Sequence, residues 1–86
     1  MKRKHSIIQA KRLLGQRIAA ARQNAGLTQV QLSEKVASRF KTEDIRLSVR
    51  SIEEIEAGRA NPSFEKLYVI AICTNTTLES LLNDLN

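Results

Sequence analysis

The segment that most constrains this chain is Ser48-Val49-Arg50-Ser51-Ile52-Glu53-Glu54-Ile55-Glu56-Ala57-Gly58-Arg59-Ala60-Asn61-Pro62-Ser63. It is punctuated at both ends. Ser48 can cap a short helix, Gly58 can stop it, and Pro62-Ser63 can open the next. Val49, Ile52 and Ile55 fall at i, i+3 and i+6, which leaves Arg50, Ser51, Glu53 and Glu54 on more exposed faces. Upstream, Gly26-Leu27-Thr28-Gln29-Val30-Gln31-Leu32-Ser33-Glu34-Lys35-Val36 predicts another short helix, capped by Thr28 and burying Leu32 and Val36, with Phe40 one i+4 step further on. Two short helices, the second polar-faced and well capped, suggest a helix-turn-helix.

Helical signals continue in both directions. Ser6-Ile7-Ile8-Gln9 has capping-box spacing, so a first helix is expected from Ile7 with Ile7, Leu14, Ile18, Ala21 and Ala25 inward and Gly26 as its stop. Gly15 within it costs about 1 kcal/mol relative to alanine. Ser63 predicts a fourth helix with Phe64, Leu67, Ile70 and Ala71 as its apolar face. Asn75 suits a left-handed stop, and Thr76-x-x-Glu79 has the spacing of a second capping box. A C-terminal helix is thus expected over 76–86 with Leu78, Leu81, Leu82 and Leu85. No strand pattern or repeat interrupts this series. The expectation is an all-α chain of five helices in one domain over 1–86, because a chain of 86 residues is too short for a second core.

At these residues the chain resembles the lambda-repressor-like, Cro/C1 or XRE-type helix-turn-helix family. The resemblance runs from about Leu14 to about Leu82. It is carried by Leu14-Gly15-x-x-Ile18, Arg22, Gly26-Leu27-Thr28-Gln29-x-x-Leu32, Ile52-x-x-Ile55-Glu56-x-Gly58-x-x-Asn61-Pro62-Ser63, and Leu67 through Leu78. It implies a compact five-helix DNA-binding domain in which a small residue at Gly15 permits close helix approach. It also implies that Gln29, Thr28, Arg59 and Asn61 meet phosphates, and that Arg22 and Glu56 form a buried ion pair joining the first helix to the end of the third. The chain departs from the family by about nine extra residues within 37–46, where the usual motif makes its tight turn. Such an insertion costs little loop entropy. Arg39, Lys41 and Arg46 there either add phosphate contacts or remain solvated loop charges.

A recognition helix places its first turn against base edges. The base-contacting candidates are therefore Val49, Arg50, Ser51 and Glu54, and Ser48 and Arg46 join the phosphate candidates. Arg50 has the planar fork that pairs with guanine O6 and N7. Val49 can meet a thymine methyl or belong to the core, and Glu54 can accept from cytosine N4 or orient Arg50 at i+4.

Charge supports this chemistry: residues 1–33 hold seven basic side chains (Lys2, Arg3, Lys4, Lys11, Arg12, Arg17 and Arg22) and no acid, while the whole chain carries +5. A one-sided basic distribution attracts phosphate irrespective of base sequence. Residues 1–6 read as a basic arm. One His, one Cys and no glycine-rich phosphate loop argue against an enzyme, a metal site or any cofactor. The lone Cys73 fits a reducing cytoplasm, and no apolar run is long enough to span a bilayer.

The partners expected are double-stranded DNA and a second copy of the chain, since one such domain reads few base pairs. The homodimer contact is expected at Leu78, Leu81, Leu82 and Leu85. The function expected is a transcriptional regulator, repressor-like, on a palindromic operator. The alternative is an antitoxin-like or adaptor module that docks a protein partner through the inserted loop, which exposed Phe40 and Ile45 would favour.

Overall fold

A computed structural model describes residues 5–85. Five helices follow one another: α1 Ile7–Asn24, α2 Gln29–Arg39, α3 Val49–Glu56, α4 Phe64–Cys73 and α5 Leu78–Leu82, with no strand among the described residues. Each begins at a hydroxyl. Ser6, Thr28, Ser48, Ser63 and Thr77 accept from the backbone N–H three residues on, and Ser6 with Gln9 and Thr28 with Gln31 form full capping boxes.

The helix exits are equally regular. After α1, α3 and α4 the chain closes with paired 6→1 and 5→2 hydrogen bonds around Gly26, Gly58 and Asn75, whose φ angles are 74°, 76° and 56°. The same closure explains the insertion. Ala37, Ser38 and Arg39 extend α2, and a turn follows in which Ile45 N–H donates to the Phe40 carbonyl and Asp44 N–H to that of Lys41, with Asp44 at φ 56°. The extra residues are thus part helix and part compact turn, not a loop over all of 37–46. Phe40 and Leu47 are buried and Ile45 packs on the core. Ser33 Oγ donates to the Leu47 carbonyl at 2.6 Å and fastens the end of the turn to α2.

α2 packs on α3 and α4, α1 on α3 and α5, and α4 on α5. Ile18, Leu32, Val36, Leu47, Ile52, Ile55, Val69, Ile70 and Leu81 fill the space between them. Burying each contributes about 1.5–3 kcal/mol. Gly15 lets α1 touch α3, because a Cβ there would stand 2.5 Å from the Ile55 carbonyl oxygen and 2.6 Å from that of Glu56. No helix among the described residues is long and apolar enough to cross a membrane.

Three expectations need correction. Ile7 and Phe64 are 64% and 70% exposed, because the first turns of α1 and α4 project beyond a core that starts at Leu14 and Leu67 respectively. Phe64 instead stacks on Tyr68, centroids 6.0 Å apart, on the outer side of α4. The cap of α5 is Thr77, accepting from Ser80, because the Thr76 N–H is already drawn to the Ala71 carbonyl in the exit turn of α4. Among the described residues the last helix covers only 78–82 of the expected 76–86: Thr77 sets its start, and Asn83, at φ −59° and ψ 134°, leaves the helical conformation at its end, while Asn86 lies outside the described residues.

Candidate functional site

α3 is eight residues long and amphipathic. Ile52 and Ile55 point into the core, while Arg50, Glu53 and Ala57 form an exposed stripe at i, i+3 and i+7, flanked by the half-buried Val49 and Glu54. Arg50, Val49 and Glu54 therefore share one outward surface at the helix. Ser51 does not: it is turned toward α4, where its Oγ accepts from Lys66 Nζ at 3.2 Å. A base contact from Ser51 would have to break that bond. Glu53 is exposed as its spacing predicts, whereas Ala57, seven residues after Arg50 on the same stripe, is not among the sequence candidates although that spacing is enough to reveal it.

Behind this surface lies an ion-pair network. Arg22 donates from Nε to Glu56 Oε2 at 2.7 Å, from Nη2 to Glu56 Oε1 at 3.0 Å, and from Nη1 to the Leu27 carbonyl at 2.8 Å. Both side chains are largely buried. The bonds to Glu56, with its negative charge adding, raise the Arg22 pKa against the opposing effect of burial. Gln29 also donates to Glu56 Oε1, at 3.0 Å. One carboxylate at the end of α3 therefore ties down α1, the start of α2 and α3 itself. This accounts for the orientation of Gln29, whose amide is engaged inside the protein.

The other phosphate candidates fall into distinct settings. The hydroxyls of Thr28 and Ser48 cap α2 and α3. Arg46 is exposed in the turn before α3, 3.6 Å from the equally exposed Asp44, a pairing of negligible strength. Asn61 is exposed beyond α3. Arg59 is bound to Glu54, Nε to Oε2 at 2.8 Å and Nη2 to Oε1 at 3.4 Å. Those hydrogen bonds, reinforced by the positive charges of Arg59 and Arg50, hold the Glu54 carboxyl below its ordinary pKa. Glu54 is therefore held by Arg59 and does not depend on a partnership with Arg50.

The basic N-terminal half is less available than its charge suggests. Lys2, Arg3 and Lys4 of the expected basic arm lie outside the described residues. Arg22 serves Glu56, and Arg17 donates from Nη1 to the carbonyls of Leu81 and Asn83, holding the end of α5 against α1. Nothing local in the sequence signals that contact across 64 residues. Arg12 is exposed, with its backbone against Gly58, where an added Cβ would stand 3.0 Å from Arg12 Cα.

The expected dimer leucines also divide. Leu81 is 2% exposed and belongs to the chain's own core, so it cannot meet a second copy. Leu78 and Leu85 are partly buried against that core, and Leu82 is exposed at 41%. Leu85 further lines an apolar groove of about 250 Å³ with Ile7, Ala10, Leu14 and Pro62.

The chain matches no family model, no curated protein and no solved structure.

Proposed function

We propose that this protein is a sequence-specific DNA-binding transcriptional regulator of lambda-repressor-like fold, acting as a repressor in the cytoplasm on a palindromic operator. The observation that carries this reading is the outward face of α3. It presents a fork-shaped guanidinium at Arg50, an apolar Val49 and a restrained carboxylate at Glu54, next to the N-terminus of a capped helix packed on α2. Arg50 pairs with guanine, Val49 meets a thymine methyl, and the N-terminus of α2 approaches a phosphate through the N–H groups of Gln29 and Val30, those of Thr28 and Gln31 being engaged in the capping box. The Arg22–Glu56–Gln29 network fixes the angle between α2 and α3 on which simultaneous contact depends. Two copies read two half-sites, with Leu82 and the edges of Leu78 and Leu85 as the contact between them.

The adaptor alternative drew on an apolar docking surface in the insertion. Phe40 is buried and Ile45 packs on the core, so that surface is not offered. The two readings separate in one binding experiment. Purified protein alone should bind fluorescently labelled duplex by anisotropy, with log affinity falling linearly in log salt at a slope of about −0.9 for each phosphate neutralised. Absence of duplex binding at low salt would refute the DNA reading.

A further inference from the structure

Gly58 turns the chain so that residue 59 is placed back against residue 54. With Gly58 at φ 76°, Arg59 N–H donates to the Glu54 carbonyl at 2.9 Å, and the Arg59 side chain donates twice to the Glu54 carboxylate. The same two residues are thus joined through backbone and side chain. Glu54 stands one helical turn beyond Arg50, at the margin of the outward face. A lone carboxylate on a surface facing phosphates is repelled by them. A guanidinium seated on that carboxylate offsets the repulsion and restrains its direction, the planar fork matching the two oxygens.

We infer that Arg59 is a positioning residue for base recognition and not a phosphate clamp: it aims the Glu54 carboxylate at the exocyclic amino group of a cytosine in the half-site. This rests on the DNA-binding reading above. Cytosine presents an N4 amino donor in the major groove where thymine presents an O4 acceptor, so an ionised Glu54 accepts from the first and repels the second. Arg50 and Glu54 then read a guanine and a cytosine from adjacent turns of one helix. At neutral pH a glutamate carboxylate is ionised and acceptor-only, and the hydrogen bonds from Arg59, by lowering its pKa, keep Glu54 so further into the acid range.

The test uses the duplex that the wild-type protein selects from a random pool, together with variants changed at one base pair at a time, competed against wild type, Glu54→Ala, Arg59→Ala, Arg59→Lys and the double alanine variant. Circular dichroism verifies that each is folded. The expected result is a cytosine preference of about 5- to 150-fold at one base pair. Glu54→Ala abolishes it, Arg59→Ala loses most of it at that same base pair, and the double variant is no less selective than Glu54→Ala alone. Arg59→Lys, which keeps the charge without the fork, retains an intermediate preference. If Arg59→Ala weakens binding to all duplexes equally and lowers the salt slope by about 1, with the motif intact, Arg59 is a phosphate clamp and the inference is overturned. A wild-type protein that selects no motif overturns the base-reading proposal as well, an outcome distinct from an intact motif.

Discussion

Replacing Gly15 by alanine should destabilise the protein by about 2 kcal/mol, against the ordinary gain of about 1 kcal/mol from helix propensity. The added Cβ would lie 2.5 and 2.6 Å from the carbonyl oxygens of Ile55 and Glu56 and 2.9 Å from the Glu56 carbonyl carbon, all backbone atoms. No rotamer change can move them. Reaching an ordinary contact of 3.4 Å requires α1 and the end of α3 to separate by about 0.9 Å. A gap of that size forfeits roughly a quarter to a half of each dispersion contact it opens. Ile18 and Ile55, both buried, belong to the two helices that must part, and Glu56 carries the Arg22 pair with it. An overpacking penalty near the upper end of about 1–3 kcal/mol, less the propensity gain, leaves about 2 kcal/mol.

In a chain this small the melting temperature should fall by roughly 10 °C, measured by circular dichroism at 222 nm. Gly26→Ala is the control, since nothing lies within 4 Å of its Cβ position but its φ is +74°. It should cost about 1 kcal/mol through the backbone alone. Gly26→Asn should recover much of that, as Asn75 serves at the corresponding exit of α4. A Gly15→Ala protein as stable as wild type would refute the close approach of α1 and α3.

Further predictions address the network, the leucines and pH. Arg22→Ala should cost about 3 kcal/mol in urea denaturation, because it leaves the Glu56 carboxylate largely buried without its main partner; pairing it with Glu56→Gln should give much less than the sum of the two single effects. Leu81→Ala should destabilise by about 2–5 kcal/mol. Leu82→Ser should leave the urea midpoint nearly unchanged while light scattering reports a monomer, and a persistent dimer would remove Leu82 from the contact. Glu54 has a folded pKa below its ordinary value, so its pairing with Arg59 supports folding above the ordinary carboxylate range and loses that support as pH falls through the folded value. The urea midpoint of wild type should accordingly exceed that of Glu54→Gln at pH 6, and the difference should shrink between about pH 5 and pH 3. A difference that grows on acidification would contradict the pairing.

Much of the architecture was legible because it is local. The hydroxyls at Ser6, Thr28, Ser48 and Ser63 mark helix starts through contacts three residues away, and Gly26, Gly58 and Asn75 mark exits through their tolerance of positive φ. Arg22 and Glu56 were paired only through the family resemblance, and spacing alone would not have joined residues 34 positions apart. Where neighbours compete, sequence was a poorer guide. Thr76 and Thr77 are both competent caps, and the demand of the α4 exit for the Thr76 N–H decides between them. Leu78, Leu81, Leu82 and Leu85 look alike in sequence, yet contact with α1 and α4 buries Leu81 and leaves Leu82 out. Ser51 reads in sequence as an exposed first-turn residue, yet Lys66 reaches its hydroxyl from α4, a contact that no local pattern announces. Asp44 in a left-handed conformation, which makes the insertion compact, carried no glycine to announce it.

The most direct test of the central claim is selection of bound sequences from a random duplex pool by wild type and Arg50→Ala at the same moderate salt. The account predicts a palindromic motif for wild type and loss of its guanine preference in the variant. Failure of wild type to enrich any motif, or an identical motif from both proteins, would contradict the reading of DNA by Arg50 on the outward face of α3.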